Sequence, residues 1–85
     1  MDVTAIRNAL DEAMTLEEGE VIMIDCESRE QQNSIATRLY REKKALEKAL
    51  PDIANEIVIS RVKRSLMLSR RADMPTFRKV RKEYI

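Results

Sequence analysis

The sequence predicts an α+β fold with elements in the order α-β-α-β-β: a three-stranded, mostly antiparallel sheet with a long central helix packed on one face. Three observations lead to this prediction. A capped helical pattern follows residue 28, a β-branched run occupies residues 21–24, and two apolar runs at residues 57–59 and 66–68 are separated by polar residues. A chain of 85 residues is long enough for one domain, so residues 1–85 are predicted to be a single domain.

The first helix is predicted over residues 3–14, because Ile6, Leu10 and Met14 recur every four residues. This spacing places the three side chains on one face of a short amphipathic helix. Gly19 is the only glycine of the chain and follows the helical pattern. We expect it to form a turn that requires a positive φ angle.

The first strand is predicted over residues 20–26, since their β-branched core is too short to form a helix of its own. Side chains alternate between the two faces of a strand, and both sets are apolar here. The predicted sets are Ile22, Ile24 and Cys26 on one face and Val21 and Met23 on the other. The central helix can cover only one face, so we expect the first helix or a second subunit to cover the other.

The central helix is predicted to begin at Arg29 and to stop at Pro51. Ser28 and Gln31 form the S-x-x-Q pattern in which two side chains satisfy free N–H groups at a helix start. Apolar residues then recur on one stripe, at Ile35, Leu39, Leu46 and Leu50. The opposite face is predicted to be exposed to solvent and mildly basic, with Arg38, Arg41, Lys44 and Lys48.

The region 56–71 fits two structures. In the first, residues 57–59 begin a strand, residues 63–65 connect, and residues 66–68 return, which makes a hairpin. In the second, the same region is a helix, and the chain becomes all-α with a basic third helix of the helix-turn-helix type. The β-branched cluster and the polar break favour the hairpin, although the connection contains no glycine or asparagine.

Charge is unevenly distributed along the chain. The first 20 residues contain one basic and six acidic residues, whereas residues 51–85 contain nine basic and four acidic residues. Residues 72–85 are predicted to be a basic C-terminal tail or short helix. The predicted nucleic-acid-binding residues are Arg61, Lys63, Arg64, Arg70, Arg71, Arg78, Lys79, Arg81 and Lys82. Such a segregated charge is typical of a protein that binds a charged partner.

The residue types needed for most catalytic sites are missing from the sequence. It has no histidine, one cysteine and one glycine, which excludes a tetrahedral zinc site and a glycine-rich phosphate loop. Asp25 and Glu27 would share one face of the first strand, but two carboxylates alone are a poor magnesium site. The sequence therefore predicts a protein that is not an enzyme and that holds no cofactor or metal.

The predicted function is nucleic-acid binding through phosphate contacts made by the basic hairpin and tail. Neutralising four phosphates would give a salt dependence with a slope of about −4 on logarithmic axes. Tyr40, Phe77 and Tyr84 are the only aromatic residues, so base stacking and sequence reading are expected to be minor. One alternative is a protein-interaction module, an inhibitor or adaptor that binds a larger assembly by charge complementarity. Another is that the charges only keep the protein soluble.

Cys26 has no cysteine partner in the chain, and the N-terminus has no apolar region of the kind that an export signal needs. These features predict a cytoplasmic protein without a membrane partner. The small aliphatic core favours a homodimer. In its size, polarised charge and lack of catalytic residues, the chain is similar in type to accessory and regulatory proteins of bacteriophages and mobile elements.

Overall fold

Two helices lie on one face of a three-stranded sheet in the computed structural model, which describes residues 2–74. In chain order the elements are α1 (Val3–Ala13), β1 (Ile22–Asp25), α2 (Arg29–Ala49), α3 (Pro51–Asn55), β2 (Ile57–Val62) and β3 (Ser65–Arg70), followed by a 3-10 turn at Arg71–Asp73. The predicted α+β fold and its hairpin are confirmed, and the all-α alternative is wrong. None of the described helices is long and apolar enough to cross a membrane.

The sheet has the strand order β1-β3-β2, and both pairs are antiparallel. β3 is the central strand: Leu68 lies opposite Ile22 of β1 on one side and opposite Ile59 of β2 on the other. β1 and β2 consequently run parallel to each other with β3 between them. The connection from β1 to β2 contains α2, which crosses the sheet on the core face.

The core is aliphatic and lies between the helices and one face of the sheet. α1, α2 and the sheet contribute to one cluster of buried side chains, which contains Ile6, Leu10, Ala13, Ile35, Ala36, Leu39, Ile57, Leu66 and Leu68. Ile22, Ile24 and Cys26 pack against this cluster, whereas Val21 and Met23 are exposed on the opposite face, as predicted. The expectation that α1 covers that opposite face is wrong, because α1 shares the core face with α2.

The start of α2 is fixed by a cap close to the predicted one. The Oγ of Ser28 accepts a hydrogen bond from the backbone N–H of Gln31 at 3.1 Å. The Gln31 side chain accepts in return from the backbone N–H of Glu27, one residue earlier than in the standard reciprocal box. Two orphan N–H groups are thereby satisfied, and the helix begins at Arg29 as expected.

The short helix α3 was not predicted from the sequence. Pro51 ends α2 as predicted, but it is also the first residue of a five-residue helix. Proline suits this first position because its fixed φ angle is helical and its missing N–H group would have no partner there. Ala54 of α3 is fully buried, so tertiary packing stabilises a helix too short to form alone.

The hairpin turns over only two residues, Lys63 and Arg64, because Ser65 already belongs to β3. Lys63 has a φ angle of 56°, and it is the only described residue other than glycine with a positive φ. A lysine in this left-handed region is strained by contact between its Cβ and the backbone. Gly19 also has a positive φ angle, of 79°, as predicted. Glycine adopts this conformation without strain because it has no Cβ atom.

Replacing Lys63 with glycine is expected to stabilise the protein. The left-handed conformation costs lysine about 1–2 kcal/mol, and the larger chain entropy of glycine offsets roughly half of the gain. We expect the free energy of unfolding, measured with urea, to rise by about 0.5–1 kcal/mol. Arg64→Gly is the matched control: Arg64 has no positive φ, so this variant should lose stability, and a gain equal to that of Lys63→Gly would contradict the explanation.

Ser28→Ala is expected to lower the free energy of unfolding by about 1 kcal/mol, because it leaves the N–H of Gln31 without its cap. Ser34→Ala on the exposed face of the same helix is the control. Alanine is the better helix former there, so Ser34→Ala should leave stability unchanged or raise it slightly. Thermal unfolding followed by circular dichroism measures both, and equal effects of the two variants would count against the cap.

Candidate nucleic-acid interface

The first turns of α2 are attached to the hairpin turn by the side chain of Gln32. This residue is only 3 % exposed, and its Nε2 donates hydrogen bonds of 3.0 Å to the backbone carbonyls of Lys63 and Ser65. A buried amide that satisfies the carbonyls on both sides of Arg64 fixes the distance between the helix and the turn. Basic residues of α2 and of the hairpin are therefore held in one arrangement.

Arg61 of β2 makes a second connection to α2. Its Nη1 donates to the Oδ1 of Asn33 at 2.6 Å and to the Oε1 of Gln32 at 3.3 Å. Both acceptors are neutral amides, so the positive charge of Arg61 is oriented without being neutralised. The residue is exposed and faces the helical layer, and it can still contribute to the local positive potential.

Lys63 and Arg64 form the tip of the hairpin, and both are exposed. No carboxylate among residues 2–74 forms an ion pair with either of them. Arg29, the first residue of α2, lies one helical turn before Gln32 and joins them at this end of the sheet. We call Arg29, Arg61, Lys63 and Arg64 the hairpin-turn cluster.

Acidic residues are also present at this end. Asp25 at the end of β1 lies opposite Ser65 and accepts a hydrogen bond of 2.7 Å from its hydroxyl group. Glu27 and Glu30 flank the start of α2, where the helix dipole favours negative charge. These carboxylates lower the local positive potential. The cluster therefore depends on cations elsewhere on α2 to form an extended basic surface.

Such cations continue along the side of α2 that faces β2. Five exposed residues follow one another on this side at helical spacing: Asn33, Thr37, Tyr40, Lys44 and Lys48. Tyr40 is 53 % exposed, and its hydroxyl group donates to the carbonyl of Ile59 in β2 at 3.3 Å. We call these five residues the α2 stripe. Together with the hairpin-turn cluster it is the candidate nucleic-acid interface.

The sequence identified Lys44 and Lys48 only as part of a solvated helix face. Their relation to the hairpin was missed because it depends on contacts between residues far apart in the chain: Gln32 to Lys63 and Tyr40 to Ile59. The one available signal was the pair of amides, Gln32 and Asn33, near the start of an amphipathic helix.

Arg70 and Arg71 lie at the opposite end of the hairpin from Lys63. The Nε of Arg70 is 3.8 Å from the Oδ2 of Asp73, and the Nε of Arg71 donates to the carbonyl of Asn55 at 2.7 Å. Six residues of β3 separate this end from the hairpin turn, a length of about 20 Å. Among the described residues, the predicted nucleic-acid-binding residues therefore lie in two separate groups.

The end that holds Arg70 is also rich in acidic residues. Asp73 accepts a hydrogen bond of 3.2 Å from the N–H of Gly19, which brings the loop with Glu17, Glu18 and Glu20 to this end. Asp52 and Glu56 line the same pocket as Arg70. This environment is unfavourable for a phosphate. The predicted residues Arg78, Lys79, Arg81 and Lys82 lie outside the described residues.

Glu12 and Glu20 lie near β1, whereas Tyr40 and the lysines of the α2 stripe lie on the side of α2 that faces β2. The end of α1 lies beside the start of β1, where Glu12, Glu20 and Ile22 line a shared pocket. α2 lies beside β2, with Tyr40 bonded to Ile59. This separation is partial, because Asp25, Glu27 and Glu30 lie at the hairpin-turn end and Arg70 lies among acidic residues. An ion pair joins α1 to α2: the Nε of Arg7 is 3.2 Å from the Oε2 of Glu42.

No group of three or more cysteine, aspartate or glutamate side chains in residues 2–74 is arranged to hold a metal ion. Comparison of the chain with protein-family models, with curated proteins and with solved structures finds no match in any of the three.

Gln32→Ala is expected to lower the free energy of unfolding by about 2 kcal/mol, because two turn carbonyls and Arg61 lose their partner at a buried position. Asn33→Ala removes one exposed hydrogen bond and should cost less than about 1 kcal/mol. Urea denaturation compares the two variants. An equal loss would contradict the central role of the buried amide.

Proposed function

We propose that this protein is a non-enzymatic binding protein that contacts the phosphate backbone of nucleic acid through the α2 stripe and the hairpin-turn cluster. One observation carries the proposal: Lys44 and Lys48 of the α2 stripe and Lys63 and Arg64 of the hairpin tip are exposed and form no ion pair within residues 2–74. Exposed cations without partners are able to replace the counterions of a phosphate chain.

The dimensions of this edge suit an extended anion. From Asn33 to Lys48 the α2 stripe spans 16 residues, which is about 22 Å along a helix axis. The hairpin-turn cluster continues the edge beyond Asn33, which is bonded to Arg61. One strand of duplex DNA has a phosphate about every 3.4 Å along its axis, so several phosphates face such a length. The rigid attachment by Gln32 lowers the entropy cost of aligning the two groups of cations.

The proposed binding depends little on base sequence. Tyr40 is the only aromatic side chain among the described residues of the interface, and its hydroxyl group is already bonded to β2. Specific reading of bases requires side chains that enter a groove or stack on several bases. Backbone contact with duplex nucleic acid is therefore the proposed mode. An accessory or regulatory role in the cytoplasm, of the kind that phage and mobile-element proteins perform, fits a small binding protein of this type.

The proposal predicts that Arg64→Gln and Lys44→Gln each weaken binding to duplex DNA. Each variant removes one cation from the interface, so the slope of log affinity against log salt should fall in magnitude by about 1 for each change. The loss should be similar for DNA duplexes of unrelated sequence. Fluorescence anisotropy with labelled duplex, single-stranded DNA and RNA at two salt concentrations measures both effects.

Arg70→Gln is the matched control. It changes the same residue type by the same charge in the same hairpin, but at the end where Arg70 faces Asp73. Its affinity and salt slope should equal those of the unmodified protein. The proposal fails if no nucleic acid binds at low salt, or if Arg70→Gln weakens binding as much as Arg64→Gln.

The alternative function, a protein-interaction module, is tested by the same variants. Affinity capture from a cytoplasmic extract would then recover one stoichiometric protein that survives nuclease treatment. If Arg64→Gln removed such a protein while no DNA or RNA bound to the purified chain, the same surface would have a protein as its partner. That combination would replace the nucleic-acid proposal.

A further inference from the structure

A surface groove lies between α1 and α2, with a volume of about 240 Å³. Buried Leu10 and half-buried Leu46 form its apolar floor. Exposed Ala45 forms part of the α2 wall, and its short side chain leaves that wall low. Apolar surface is therefore accessible between two helices that pack on the same core.

A second pocket continues this apolar surface at the end of α1. Met14, one helical turn after Leu10, lines it together with Ile53 of α3. Ile53 is 42 % exposed, and Leu50, at the junction of α2 and α3, is 43 % exposed. We call the two pockets the interhelical groove, with the apolar lining residues Leu10, Met14, Leu16, Ala45, Leu46 and Ile53.

The rim of the interhelical groove is acidic. Three exposed carboxylates border it, and none of them forms an ion pair within residues 2–74: Asp11, Asp52 and Glu56. Two described arginines also line the groove, and each already faces a carboxylate. The Nε of Arg7 is 3.2 Å from the Oε2 of Glu42, and the Nε of Arg70 is 3.8 Å from the Oδ2 of Asp73. The groove is therefore an apolar surface with unbalanced negative charge around it.

We propose that the interhelical groove binds a basic amphipathic helix of a partner protein. The apolar residues of this helix contact Leu46 and Ile53, and lysine or arginine side chains beside them pair with Asp52 and Glu56. The apolar contacts supply most of the affinity, and the charge pairs supply selectivity. The α1 wall of the groove ends at Met14, and about three turns of partner helix cover the groove.

The walls of the groove favour a helix over an extended peptide. They are mainly the sides of α1, α2 and α3, whose backbone N–H and C=O groups are bonded within the helices. An extended peptide would find few backbone partners there and would leave its own polar groups unpaired beside apolar side chains. A helix pairs its backbone groups internally and presents apolar residues at i, i+3, i+4 and i+7.

A basic helix suits the groove better than nucleic acid or a second copy of the chain. Phosphates would meet the unpaired carboxylates of Asp52 and Glu56. A symmetric contact places the same surface of each copy against the other, so two acidic rims would face each other. The α2 stripe of a second copy is basic, but Tyr40 is its only large apolar side chain.

The interhelical groove and the α2 stripe lie on opposite sides of α2. Glu42 follows Tyr40 by two residues and Leu46 follows Lys44 by two residues, which is a rotation of about 200° around the helix axis. Both surfaces are therefore open at the same time, and one molecule can hold a nucleic acid and a basic helix. Occupation of the groove does not depend on the proposed function.

A fluorescently labelled test peptide probes the groove of the full chain without nucleic acid. The peptide has about 14 residues, with leucine at i, i+3, i+4 and i+7 and lysine at the flanking positions. A counterpart peptide has glutamate in place of every lysine. Fluorescence anisotropy at low salt is expected to show saturable binding of the lysine peptide and no binding of the glutamate peptide, because the rim of the groove is acidic.

Two matched pairs of variants locate the contact. Glu56→Gln is expected to weaken binding of the lysine peptide about two- to fivefold, and Ile53→Ala about five- to tenfold. Glu12→Gln removes an exposed carboxylate that lies near β1, and Val21→Ala shortens a similarly exposed apolar residue beside β1. Both controls should leave the affinity unchanged. The proposal is wrong if the controls weaken binding as much as the groove variants.

Methionine methyl signals, measured by nuclear magnetic resonance, identify the covered surface. Met14 lines the groove, whereas Met23 and Met67 are paired on the opposite face of the sheet. The lysine peptide is expected to shift the signal of Met14 and to leave those of Met23 and Met67 in place. Absence of binding, equal binding of the glutamate peptide, or a shift confined to Met23 and Met67 would overturn the proposal. A Met14 shift that grows with protein concentration without peptide would assign the groove to a second copy and would equally overturn it.

Discussion

The buried amide of Gln32 holds the helical layer in register with the hairpin. Its two hydrogen bonds to the carbonyls of Lys63 and Ser65 join elements that are more than 30 residues apart in the sequence. The apolar contacts of the core are non-directional and would tolerate small rotations of α2. Hydrogen bonds to two fixed carbonyls do not tolerate them, so this polar contact selects one orientation of the helix and of its outer cations.

That orientation places the cations of the α2 stripe on the side of the helix that faces β2. Glu12 of α1 lies near the start of β1, and Lys44 and Lys48 follow Tyr40 on the side of α2 that faces β2. The basic residues of the hairpin form two groups, because the hairpin turn and Arg70 lie at opposite ends of β3. Arg70 forms an ion pair with Asp73, which accepts a hydrogen bond from Gly19 in the acidic loop. At the other end, the carbonyl of Lys63 is bonded to Gln32 near the start of α2.

Much of the fold could be predicted because its signals are local. The cap at Ser28 depends on residues within four positions, and the two faces of β1 follow from alternation. α3 was missed because its only local signal, Pro51, equally marks the end of a helix. The interface was only partly predicted, since the partners of Gln32 and Asp73 lie 31 to 54 residues away and no local pattern encodes them.

The strand order also determines how the molecule assembles. β2 and β3 are joined by two residues, so their pairing is local and is expected to form early. β1 pairs with β3 across a separation of 40 residues between Asp25 and Ser65, and closing this long loop has a large entropy cost. β1 is also short and lies at the sheet edge. Its amide protons are therefore expected to exchange fastest of the three strands, and its docking is expected to be the last step of folding.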